Sequence, residues 1–167
     1  MTELTGTLPN PQDTHTFGAA LGRLLRGGDL VLLTGDLGAG KTTLTQGLGA
    51  GLGVRGPITS PTFVIARVHP SLGQGPALVH ADAYRLGGRA ELDDLDLDTD
   101  LARAVTVVEW GSGVAERLGE DRLELALHPQ PDHQTRTVHL RAVGRRWSDE
   151  DAASGLRELL QVARRAT

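Results

Sequence analysis

The chain has 167 residues, 39% of them hydrophobic, and a formal net charge of −4. That length suits one domain with a sizeable core, and the acidic balance argues against a wholesale nucleic-acid binder while leaving room for a local basic patch. Cysteine is absent, which excludes disulfides and thiolate-held metals; no apolar stretch is long enough to span a bilayer and none resembles a signal peptide, so a cytoplasmic protein without a membrane partner is expected.

Residues 1–13 are polar, contain Pro9 and Pro11, and predict a short strand ending in a turn. Asp13 or Thr14 is the expected cap of a helix running to about Arg26, with Phe17, Leu21, Leu24 and Leu25 facing inward. Gly27-Gly28 ends it, and the apolar run from Leu30 to Thr34 reads as a buried parallel strand. The stretch that follows, Gly35-Asp36-Leu37-Gly38-Ala39-Gly40-Lys41-Thr42, fits the G-x-x-x-x-G-K-[ST] phosphate-loop pattern. It opens a helix over 42–52 with Leu44, Leu48 and Leu52 on one face.

The residue types explain the pattern. Glycines adopt positive φ and bring bare N–H groups close to phosphate. The helix N-terminus adds its positive dipole end. Lys41 can reach the β- and γ-phosphates as a compact charge, the Thr42 hydroxyl can ligate Mg²⁺, and Thr43 can reach another phosphate oxygen. The chain contains 17 Lys plus Arg, and Lys41 is the only lysine. A chain that uses arginine everywhere else uses lysine here, and the two differ in shape and donor geometry.

Further along, Thr62 to His69 and Ala77 to Asp82 read as strands joined by a Pro/Gly-rich turn, hence an antiparallel hairpin. The acidic, Leu-spaced stretch 89–102 predicts one or two short helices, usually a solvated face. Ala104 to Glu109 is a central parallel strand, and Val114 to Leu118 a short helix. Arg122–Leu127 and Arg136–Ala142 alternate as late antiparallel strands, and 148–166 is an amphipathic helix carrying Leu156, Leu159, Leu160 and Val162. The fold expectation is therefore α/β: a P-loop NTPase-like three-layer single domain with a mixed, largely parallel central sheet.

Ligands of such sheets sit at the carboxyl ends of the strands, where two acids end apolar runs: Asp82 and Glu109. Glu109 follows the cleaner run and is assigned to Mg²⁺, directly or through water. Asp82 is left to orient water or hold a switch segment; for each of the two acids a surface carboxylate at a strand end is the alternative reading. Ser60-Pro61-Thr62 reads as a turn with a capping serine, or as a hydroxyl-rich switch near the γ-phosphate. His80 reads as a half-buried strand residue, and Trp110 as core or as a stacking or docking residue. Arg145-Arg146 and Arg164-Arg165 read as solvated, with RNA phosphate contact as the alternative. A guanine reader of the Asn-Lys-x-Asp kind cannot exist, since the one lysine is in the loop and the one asparagine is Asn10; ATP is the expected nucleotide.

Four blocks together carry a resemblance: Gly35 to Thr43, Ser60-Pro61-Thr62-Phe63, His80-Ala81-Asp82-Ala83-Tyr84-Arg85-Leu86, and Glu109-Trp110. In order and spacing, over roughly residues 5–140, the chain resembles the bacterial tRNA threonylcarbamoyladenosine biosynthesis ATPases, the TsaE family. The resemblance implies an ATP- and Mg²⁺-dependent ATPase that supports synthesis of N6-threonylcarbamoyladenosine in tRNA, working with a TsaB/TsaD-type complex and resetting it between turnovers. It implies that Lys41 and Thr43 contact phosphates, that Thr42 and Glu109 serve Mg²⁺, that Asp82 acts in catalysis, and that Ser60 and Thr62 belong to a switch. It further implies that Trp110 bears on activity, that Arg136 lies near the nucleotide and that Pro11 lies near adenine. Asp36, Leu37, Gly38, Ala39 and Gly40 complete the expected nucleotide cradle. Direct tRNA contact is expected to be weak or indirect. Two other classes compete: a small-molecule kinase using Arg85 and Arg89 as lid residues, and a nucleotide-gated binding module with little turnover.

Overall fold

A computed structural model describes residues 1–36, 38–59, 66–82, 101–109 and 119–165, the side chains of 101, 164 and 165 aside. Seven strands form one sheet in the order β1-β7-β6-β2-β5-β4-β3. They are β1 (Thr2–Leu8), β2 (Leu30–Thr34), β3 (Ala66–His69), β4 (Leu78–Asp82), β5 (Val105–Glu109), β6 (Arg122–Pro129) and β7 (Arg136–Val143). The middle four, β6, β2, β5 and β4, run parallel. β7 and then β1 add antiparallel strands at one side, and β3 closes the other as the hairpin partner of β4.

The sequence accounts for which strands lie inside. β2 and β5 are continuous apolar runs, buried along nearly their whole length, as strands covered on both faces should be. β1, β6 and β7 alternate and bury one face. β6 is antiparallel to β7 but also pairs in parallel with β2, so it joins the late antiparallel strands to the parallel centre.

Three helices are described: α1 (Pro11–Leu24), α2 (Lys41–Leu52) and α3 (Glu150–Arg165). They share one core with Val31, Leu33, Val105, Val107, Leu123, Leu125 and Leu140, which alternate onto one face of the sheet. On the opposite face Leu32, Val79, Ala81 and Val108 are buried too. The central strands are thus covered on both sides.

α1 starts earlier than expected. Asn10 is its cap, taking the Asp13 N–H on its side-chain oxygen at 2.9 Å, and Pro11 occupies the first helical position. Asparagine before proline is a start signal that outranks the acid inside the first turn, because the proline lacks only an N–H that would be unpaired anyway. The last helical residue is Leu24, not Arg26. The expected elements at 89–100 and 114–118, and residues 62–65 of the first hairpin strand, lie outside the described residues.

α1 and α2 touch through glycines on both sides. A Cβ on Gly18 or Gly22 would strike the carbonyl oxygens of Leu44 and Leu48, and one on Gly47 or Gly51 would strike those of His15 and Ala19. Interior helical glycine costs about 0.5–1 kcal/mol each relative to alanine. Four such residues cost about 2–4 kcal/mol together, a cost that only close backbone packing offsets. The consequence lies in position: α2 is the helix that the glycine loop opens into, so its docking onto α1 sets where the loop sits.

Candidate functional site

The loop leaves β2 at the carboxyl edge of the parallel strands. Gly38 and Gly40 have φ of +82° and +101°, a region that side chains with a Cβ rarely enter. Gly40 caps α2 with no side-chain hydrogen bond, and the first turn holds no acid. The helix therefore presents its N-terminal amides without a built-in anion, which suits an anionic ligand.

Lys41 is 7% exposed. Its ammonium donates to the carbonyl oxygens of Gly35 and, at 3.3 Å, Asp36. Burial pushes its pKa below the ordinary lysine value, and the carboxylates of Glu109 and Asp36 push it back up. The opposing charge of Glu109 on Lys41 places the end of β5 electrostatically next to the loop. Thr42 and Thr43 follow in the first turn of α2, both half-buried. Asp36 is exposed, and its carbonyl also takes the Ala39 N–H at 2.9 Å.

Arg136, the first residue of β7, braces the loop from the other side. Its guanidinium donates to Ala39 O at 2.8 Å and Gly38 O at 3.1 Å. The Gly40 Cα faces the same group: a Cβ there would lie 3.7 Å from Arg136 Nε and 3.7 Å from Thr14 Cγ2. Thr14 is one turn on from Pro11, so the start of α1 also borders the loop; Pro11 itself is exposed.

Asp82 and Glu109 are register partners at the ends of β4 and β5. Strand alternation puts both on the face that carries α2. They differ in environment: Glu109 is 3% exposed, whereas Asp82 is half-buried. Glu109 Oε1 is buried without a hydrogen bond. An orphaned carboxylate oxygen beside a lysine and an uncapped helix start fits a hard cation held by Thr42 and Glu109. Leu37, Ser60, Thr62 and Trp110 lie outside the described residues.

His80 is more deeply buried than its sequence reading implied, with no exposure at all. Its Nε2 lies 3.2 Å from Glu109 Oε1. The available signal was its spacing: two residues before Asp82 on a strand, it shares that residue's face. His69 sits on the same face of neighbouring β3. Burial pushes its pKa below the ordinary 6.5, His80 and Arg67 push the same way, and a hydrogen bond to the backbone of Arg55 opposes them. The unfolded chain therefore binds more protons between the native value and 6.5, so stability is fully present above 6.5 and is lost as pH falls through the native value. His69→Gln should flatten the dependence of melting temperature on pH in that window; an unchanged slope would place the proton uptake elsewhere.

Arg146, read from sequence as solvated or RNA-facing, is committed inside the protein. It pairs with the buried Asp29 at 2.9 Å, and its guanidinium lies 4.1 Å over the Trp147 ring. Among the described residues no cluster of three or more metal-ligating side chains occurs, and no helix is long and apolar enough to cross a membrane.

A parallel strand running into a glycine loop and a helix, with two strand-end carboxylates beside it, defines an α/β domain of the P-loop NTPase-like class. Residues 8–138 match the family model described as threonylcarbamoyl adenosine biosynthesis protein TsaE. The tRNA threonylcarbamoyladenosine biosynthesis protein TsaE of Streptomyces coelicolor is 59% identical over 141 residues, covering 82% of this chain and 95% of the relative. The protein of the same name from Bacillus subtilis is 36% identical over 148 residues, 88% and 90% of the two chains. The crystal structure of Bacillus subtilis YdiB superposes with a TM-score of 0.72 at 29% identity, covering 96% of this chain and 95% of the other. The chain belongs to the TsaE family.

Proposed function

We propose that this chain is a cytoplasmic Mg²⁺-dependent ATPase that supports multi-turnover synthesis of N6-threonylcarbamoyladenosine in tRNA, acting with a TsaB/TsaD-type transferase complex. The observation that carries the reading is the loop itself: positive-φ glycines, an uncapped helix start and the chain's single, buried lysine at one point. The family supplies the pathway, since its curated relatives bear that name.

In this reading the α2 amides and Lys41 hold the β- and γ-phosphates, and Thr43 takes a further phosphate oxygen. Arg136 keeps the loop carbonyls turned away from the phosphates by holding them itself. Thr42 and Glu109 would hold Mg²⁺, and the chemistry it would supply there is neutralisation of charge on the phosphate oxygens. Asp82, beside Glu109 and more accessible, orients the attacking water. The nucleotide is ATP because the chain has no guanine reader.

The test is ATP hydrolysis by the purified protein, alone and with the two partners, while threonylcarbamoyladenosine on tRNA is counted over many turnovers. Phosphate release should rise with the partners, and modification should stall after about one turnover without this chain. Asp82→Ala should keep ATP binding, Glu109→Ala should keep its metal-free ATP binding, and each should lose hydrolysis by about 100-fold, some 2.7 kcal/mol of barrier. Normal turnover in both variants would assign the chemistry to other residues. Transfer of labelled phosphate to a small acceptor in place of water would replace the ATPase reading with a kinase.

A further inference from the structure

We infer that His80 is a positioning residue that holds the Glu109 carboxylate in place for the metal. The inference rests on the reading of Glu109 as a Mg²⁺-side carboxylate.

His80 lies mid-strand in β4, between Val107 of β5 and Arg67 of β3 as register partners. Its strand neighbours Val79 and Ala81 are fully buried, and so is His80. Neither ring nitrogen makes an aligned hydrogen bond. A buried polar group without its hydrogen bond costs about 1–3 kcal/mol. At an ordinary core position leucine or valine would avoid that cost, so packing alone does not account for an imidazole here. One polar contact does: Nε2 sits 3.2 Å from Glu109 Oε1, which is itself buried and without a hydrogen bond. The distance is that of a hydrogen bond while the alignment is not, so two buried, unsatisfied groups face each other.

The alternative partner for Glu109 shows why a holder is needed. Lys41 attracts the same carboxylate, as the effect of Glu109 on the lysine pKa shows. A Glu109 drawn onto Lys41 would neutralise the charge meant for phosphate and leave the metal without its carboxylate. With Oε1 against His80, the carboxylate keeps one orientation at the end of β5. Outer partners of this kind set the direction of metal-binding side chains, and their loss costs about 10–100-fold in metal affinity.

The experiment measures ATP affinity by calorimetry in EDTA and in saturating Mg²⁺, and takes the ratio as the metal enhancement. Glu109→Gln serves as the control and should lose the enhancement. His80→Leu should lose it by about 10-fold or more while metal-free affinity stays unchanged. His80→Gln, whose amide nitrogen can stand near the Nε2 position, should recover most of it. If Glu109→Gln loses the enhancement and His80→Leu keeps it, His80 is a packing residue and the inference is overturned alone. If Glu109→Gln keeps the full enhancement, the reading of Glu109 fails and takes the inference with it. A fall in metal-free affinity equal to the fall with Mg²⁺ would also overturn it, as a structural role. Should His80→Leu not fold, nitrogen NMR of the histidine-labelled wild type decides: the His80 Nε2 signal should move when Mg²⁺ is added to the ATP-bound protein and stay still in Glu109→Gln, and an unmoved wild-type signal overturns the inference.

Discussion

Lys41→Ala is expected to lower ATP affinity by about 30–1,000-fold, equivalent to about 2–4 kcal/mol, the lower part of the range seen when one partner of a buried charge pair is truncated. Three features combine at this residue. It is the single lysine of the chain and is 7% exposed. It opens a helix whose amides have no side-chain cap. Its ammonium donates to the Gly35 and Asp36 carbonyls, which hold the positive charge in the loop. Lys41→Arg should fail nearly as badly, because a planar guanidinium does not fit the space that a compact ammonium fills. Calorimetric titration with ATP checks both variants. Wild-type affinity in Lys41→Ala would remove the loop as the nucleotide site.

Gly47→Val is expected to undo the seating of that loop without touching it. The new side chain would meet the backbone of His15, and backbone cannot give way as a flexible side-chain end can. Overpacking of this sort costs about 1–3 kcal/mol and more where backbone must move. For a chain of this size each kcal/mol lowers the melting temperature by about 2–4 °C, so a fall of about 2–12 °C follows. Gly53→Ala gives the contrast: open space surrounds that glycine, so the strain of its φ of +76° is its cost, with no clash. Thermal unfolding compares the two. An unchanged melting temperature in Gly47→Val would mean that the α1–α2 contact adjusts freely, and that these glycines are not required for it.

Much of this protein was legible in the chain because the signals are local. The strand at Leu30–Thr34, the glycine loop and the helix after it are contiguous, and the loop pattern specifies backbone conformation residue by residue. Continuous apolar runs identified β2 and β5 as central, since a strand buried on both faces has no polar alternation to show. Asp82 and Glu109 stood out for the same reason, as acids ending such runs at the edge where ligands of parallel sheets gather. The family resemblance rests on these same blocks.

What the tertiary structure decided is what depends on residues far apart in sequence. That β6 pairs with β2 in parallel while pairing with β7 in reverse is a matter of sheet order, and alternation within one strand carries no information about its neighbours. The bracing of Gly38 and Ala39 by Arg136 joins positions about a hundred residues apart. Arg146 looked solvated because its partner Asp29 lies at the start of a distant strand, and ion pairs leave no local pattern. The glycines of α1 and α2 read singly as poor helix formers, and only the crossing of the two helices shows that each one admits a carbonyl. His80 is the sharpest case: one histidine on an apolar strand is unremarkable until β5 lies beside β4 and sets Glu109 against it. Local chemistry is written in neighbouring residues, whereas partners for buried polar groups are chosen by the packing of strands and helices, and that choice is made only when the whole chain has folded.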